Sequence, residues 1–183
     1  MHRRKSNRLH AFDYASAAEY FVTICTEDRE CHFGEIKSGK MRLSHIGQIA
    51  RKCWADIPDH FPNVELDEYE VMPNHMHGIV RVKSRVGTRR RGVQLNAPTE
   101  DHSRLSPKKG TLSVILRTYK AAITTLCREQ GFTYFGWLQG FHDHIIRNQG
   151  DLNRIRKYIR DNVKNWEADE ENPKVIVQSK NHK

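Results

Sequence analysis

No stretch of the 183 residues holds the eighteen or so consecutive apolar side chains that a bilayer crossing demands, so a helical membrane protein is excluded. The basic opening Met1–Arg8 is followed by no apolar run of the kind a secretory leader carries, and the expectation is a cytoplasmic protein. Cysteine is sparse. Cys25, Cys31, Cys53 and Cys127 contain no C-x-x-C pair, which argues against a zinc knuckle and against a disulfide scaffold; reduced, mostly buried thiols are expected. Internal repeats are absent, and with 37% hydrophobic residues the chain can bury one core but not two.

Acidic residues are also in deficit: 31 Lys+Arg against 22 Asp+Glu leaves a formal charge of +9. Such a surplus favours a polyanionic partner, because neutralising phosphates releases counterions. Lipid would call for a basic amphipathic helix with a bulky apolar face, whereas these cations cluster in loops and tails. The expected partner is therefore nucleic acid, with no membrane.

Along the chain, a basic arm (residues 1–8) precedes Tyr20–Thr26 (YFVTICT), a β-branched and aromatic stretch that reads as a buried strand. Cys31–Ile36 and Lys40–Leu43 flank the turn signal Ser38-Gly39. Ser44 stands as the N-cap of a helix with Ile46, Ile49, Cys53, Ile57 and Phe61 on one face, ending near Pro58. Two strands follow, Val64–Val71 and His75–Lys83, joined by Met72-Pro73-Asn74. Residues 84–110 lose periodicity and carry seven Arg/Lys, reading as a mobile basic loop. A second helix runs through Leu112, Ile115, Tyr119, Ile123 and Leu126 to Gly131; Phe141–Asn148 is a strand; and a third helix of about three turns begins near Asp151, through Leu152, Ile155, Ile159 and Val163. A polar tail, 167–183, closes a single domain whose core spans about 9–166. The order strand, helix, strand, strand, helix, strand predicts an α+β fold, a ferredoxin-like two-layer sandwich with an antiparallel sheet and helices packed on one face.

Chemistry concentrates in two places. His75-Met76-His77 lies on a predicted strand, where the period of two points both imidazoles to one face, as a metal would need. A second H-x-H, His142-Asp143-His144, does the same, so spacing does not choose between them, and on spacing alone hydrogen-bonded or half-exposed structural histidines are the commoner reading of either. On the third helix Tyr158 sits about 100° from the apolar stripe, with Asn162 at i+4 on the same flank. In isolation it also reads as an amphipathic tyrosine at the core's edge.

Together these residues resemble a known family. Met72-Pro73-Asn74-His75-Met76-His77-Gly78-Ile79 looks like the HUH motif of single-tyrosine transposases, and the wider pattern is similar to the REP-associated tyrosine transposases. It includes Arg3-Arg4-Lys5-Ser6, the Tyr20–Thr26 strand and Phe141–Tyr158 (FHDHIIRNQGDLNRIRKY), and covers about residues 3–166. The resemblance implies that Tyr158 is the nucleophile and that His75, His77 and Asn162 hold a divalent metal, Mg2+ or Mn2+. It implies single-stranded or hairpin DNA as partner, and nicking and strand transfer through a covalent 5′-phosphotyrosine as the reaction. Arg3, Arg4, Lys5, Arg89, Arg90, Arg91, His144 and Arg154 are the candidate DNA contacts. Trp54, Trp137 and Trp166 could stack on unpaired bases or simply pack. One departure stands out: the family continues Asn-Pro, and this chain has Asn162-Val163, which leaves the end of the helix open. Two other functions fit the same residues, a DNA-binding protein without activity and a phosphodiesterase in which water attacks.

Overall fold

In the computed structural model, which describes residues 17–83 and 111–180, strand β1 (Ala18–Cys25) is the centre of construction. Its alternation sends Tyr20, Val22 and Ile24 into the main core and Phe21 and Thr23 to the opposite face. β1 pairs antiparallel along its whole length with β5 (His75–Val82), from Ala18 opposite Val82 to Cys25 opposite His75. On its other side it pairs with β6 (His142–Ile146). β4 (Val64–Val71) closes the sheet against β5, with a register shift between Leu66 and Tyr69. The resulting order β4-β5-β1-β6, all antiparallel, is the ferredoxin-like arrangement expected from the sequence. A separate hairpin of β2 (Gly34–Lys37) and β3 (Lys40–Leu43) turns at Ser38 and Gly39, both at positive φ.

Helix α1 (His45–Ala55) is capped by Ser44, whose Oγ accepts from the Gly47 amide. After a break, the short α2 (Ile57–His60) carries Pro58 in its first turn. With α3 (Leu112–Glu129), α1 covers one sheet face through Trp54, Ile49, Leu112, Ile115, Tyr119 and Ile123. Gly78 belongs to this face: a Cβ there would lie 2.3 Å from Trp54 Cζ2, so only a bare backbone admits the indole against the sheet.

The third periodic helix, α4 (Gln149–Asn165), differs from expectation in two respects. It starts two residues earlier, because Asn148 is the cap, its side-chain oxygen accepting from the Asp151 amide. It also lies on the opposite face of the sheet from α1 and α3, packing Leu152, Ile155 and Ile159 on Ile79, Ile146 and Phe21. That is the face to which the odd-numbered residues of β5, His75 and His77 among them, point. The segment read as a tail is folded as well: Trp166–Ala168 forms a 3-10 turn and Pro173–Lys180 a last helix, α5. The basic arm and the loop 84–110, with Arg3, Arg4, Lys5, Arg89, Arg90 and Arg91, lie outside the described residues.

Candidate active site

Antiparallel register builds the site. Thr23 on β1 faces His77 on β5, and its Oγ1 stands 2.9 Å from His77 Nδ1. His75 Nδ1 is 2.9 Å from Asn74 Oδ1. The orientation of that amide is settled by its other end, since Asn74 Nδ2 donates to the carbonyls of Arg29 (2.9 Å) and Glu171 (2.7 Å). The oxygen can only accept, so His75 carries its proton on Nδ1 and turns the Nε2 lone pair outward. The two Nε2 atoms then stand 3.0 Å apart, both rings buried. Either His77 donates an Nε2 proton to His75, or two lone pairs face each other and a cation would relieve them.

From α4, Tyr158 reaches the same point. Its Oη is 3.3 Å from His77 Nε2, its ring meets Phe21 edge-on at 5.9 Å, and it is 47% exposed, on the shoulder of the helix as its angular position predicts. Asn162 is buried beside them, and its Oδ1 has no partner. Asp169, from the 3-10 turn region after α4, brings Oδ2 to 4.0 Å from His75 Nε2. His75, His77 and Asp169 each offer a ligand atom, all within 4.8 Å of one another.

The donor set fits a divalent ion. Two nitrogens 3.0 Å apart, each about 2.1 Å from a shared ion, subtend about 90°, the angle of neighbouring octahedral positions; tetrahedral geometry would hold them at about 3.4 Å. The orphaned Asn162 oxygen and the Asp169 carboxylate add hard oxygen ligands. A mixed nitrogen and oxygen set suits manganese better than the all-oxygen shells magnesium prefers.

Burial dominates the electrostatics. It pushes His77 down to about 3 and His75 well below its ordinary value, the latter helped by the proximity of His77. Tyr158 and Asp169 are both pushed up by burial, and Asn162 pulls each back by hydrogen bonding. For the metal-free protein the sign of the linkage follows. Below about pH 6.5 the unfolded chain takes up a proton that folded His77 refuses until about pH 3, and lowered His75 acts in the same direction, so stability falls as the pH falls. Between about pH 7 and about pH 5 His77 alone should cost on the order of 2 kcal/mol. The raised carboxyls of Asp169 and Glu70 work against this trend. Urea midpoints in EDTA check it; a midpoint that does not move between those pH values would contradict the burial of two neutral imidazoles.

Of the residues singled out in the sequence, the fold brings His75, His77, Tyr158 and Asn162 together. His144 and Arg154 are elsewhere: both bind Asp151 at the start of α4, at 2.8 and 2.5 Å, and His144 stands across Phe21 on the edge strand. His142 is exposed on that edge. Replacing the usual proline by Val163 lets α4 run on to Asn165. Trp54 is in the core; Trp137 is partly buried and donates to the Lys120 carbonyl (3.1 Å); Trp166 is half-buried next to His75. Asp169 is the residue that reading the sequence missed. Its one signal was an acidic run, Glu167 to Glu171, in a basic chain directly after the helix carrying Tyr158.

No family model matches the chain. It is similar to an uncharacterized protein of Haemophilus influenzae, 35% identical over 173 residues and covering 93% of both chains. Among solved structures it resembles a REP-associated tyrosine transposase bound to a REP hairpin, with a TM-score of 0.56 and 21% identity over 87% of this chain and 72% of that one.

Proposed function

We propose, for a chain that belongs to one family with the Haemophilus influenzae protein and has the fold of a REP-associated tyrosine transposase, that it nicks and rejoins single-stranded, hairpin-bearing DNA with Tyr158 as nucleophile. The observation that carries this reading is the 3.3 Å approach of Tyr158 Oη to a histidine whose Nε2 is 3.0 Å from that of its neighbour.

His75, His77, Asn162 and Asp169 would hold a divalent cation, Mg2+ or Mn2+, which when bound supplies charge to polarise the scissile phosphate and stabilise the charge that builds on it. Thr23 and Asn74 fix the two imidazole rings through their Nδ1 atoms, so the Nε2 lone pairs need no reorganisation. Tyr158 Oη attacks phosphorus, the bond from phosphorus to the 3′ oxygen breaks, and the phenol proton ends on that oxygen. The products are a 5′-phosphotyrosine and a free 3′-hydroxyl, and because the ester energy is retained a 3′-hydroxyl reverses the step at a new junction without ATP. Burial keeps the phenol protonated before attack, and hydrogen bonding from Asn162 would stabilise the oxygen as it gains charge.

The test is a covalent adduct. Wild-type protein with a hairpin oligonucleotide and Mn2+ should give a band that survives boiling in SDS, with the oligonucleotide mass on the peptide containing Tyr158. Binding without any adduct would favour an inactive DNA-binding protein; free 5′-phosphate ends would favour attack by water.

A further inference from the structure

We propose that Trp166 is a stacking platform for an unpaired base flanking the phosphate that Tyr158 attacks; the inference rests on the reading above and adds a nucleobase subsite to it. Tyr158 and Asn162 lie one turn apart on one flank of α4, and Trp166, four residues further on, follows its last residue at the start of the 3-10 turn. Tyr158 meets His77, with ring centroids 5.2 Å apart, and Trp166 meets His75, at 6.0 Å and 36° between planes. The flank thus runs alongside the histidine pair, with the nucleophile at one end and an indole at the other. Eight residues of helix span about 12 Å, the reach of one to two nucleotides.

Three further observations favour a base as the occupant. First, His75 is the only ring that Trp166 contacts among the described residues, and the indole is only half-buried. Trp54, by contrast, is fully enclosed, and Trp137 is packed among Phe33, Tyr119 and Phe135 beneath Lys120. Second, the backbone that carries the indole is tied down before any ligand arrives. The Trp166 carbonyl accepts from Asn172 Nδ2 (2.8 Å) and from the Asp169 amide (3.1 Å), and Asn172 itself is buried. Third, the exposed acids that follow, Glu167 and Glu170, repel phosphate. What this corner offers DNA is an aromatic face, which every base can use, and not a backbone clamp.

A short oligothymidylate carrying one 5-iodo-2′-deoxyuridine, bound in Mn2+ and irradiated, tests the assignment. The crosslink should map to the peptide containing Trp166. Trp166→Leu should weaken binding of the same oligonucleotide about 5- to 100-fold, and Trp166→Phe should restore it to within about 3-fold, since a smaller ring still stacks. Crosslinks that map elsewhere, with Trp166→Leu binding like wild type, overturn the subsite. Equal losses in the Leu and Phe variants, accompanied by lowered melting temperatures, assign the indole to packing and overturn it too. Wild-type protein that neither binds nor forms the Tyr158 adduct removes the proposed function itself, a different failure from tight binding without a Trp166 crosslink.

Discussion

Tyr158→Phe is expected to abolish the covalent protein–DNA adduct, lowering strand cleavage by at least about 10³-fold, while leaving DNA binding and the fold close to wild type. The substitution removes one oxygen. The ring is 47% exposed and keeps its edge contact with Phe21, and the hydroxyl's interactions with His77 and Asn162 are worth about 1 kcal/mol of stability at most. What is lost is the atom that must bond to phosphorus, and no second hydroxyl stands beside it among the described residues: the group at Oη is the His77 imidazole. A denaturing gel with a hairpin substrate reads the adduct, and filter binding reads affinity. Cleavage that survives in Tyr158→Phe, with free 5′-phosphate ends, would hand the reaction to water; an adduct that survives would mean a different nucleophile.

How far this site could be read from the residues alone depends on the range of each determinant. The shared face of His75 and His77 follows from strand periodicity, and the shoulder position of Tyr158 from 100° per residue; both are local geometry and both hold in three dimensions. Ser44 and Gly39 likewise mark a cap and a turn by their own chemistry. The side of the sheet on which α4 lands is different. Its apolar stripe says that Leu152, Ile155 and Ile159 must be covered, but not by which face, and only Phe21, Ile79 and Ile146, distant in sequence, supply the answer. Without that placement Tyr158 and the histidines are two motifs with no necessary meeting point. Asp169 was hidden for the same reason. A run of acids after a helix has the composition of a solvated tail, and it folds back because Asn74 and Asn172 hold it through backbone carbonyls and the Arg29–Glu171 ion pair ties it to the turn after β1. These are tertiary contacts that no periodicity announces.

His77→Asn separates the two consequences of the buried pair. The shorter amide can still meet Thr23 Oγ1 near the place of Nδ1 but offers nothing at Nε2, so the 3.0 Å approach to His75 and the 3.3 Å approach of Tyr158 both lose their common member. Removing one of the two nitrogen ligands should weaken Mn2+ binding at least about 10- to 100-fold by calorimetry and lower adduct formation by about 10³-fold. Stability in EDTA should change in a different sense. At neutral pH the variant is weaker, because a ring packed against Phe21 has been cut back. As the pH is lowered from about 7 to about 5 it should lose about 2 kcal/mol less than wild type, since one neutral imidazole no longer resists protonation in the folded state. A structural histidine that merely filled space would show the packing loss and leave metal affinity untouched. A ligand on an exposed strand would lose the metal without altering the acid profile. Only a buried, unprotonated imidazole facing a second one predicts both, so parallel acid profiles for wild type and His77→Asn would contradict the arrangement on which the cleavage mechanism is built.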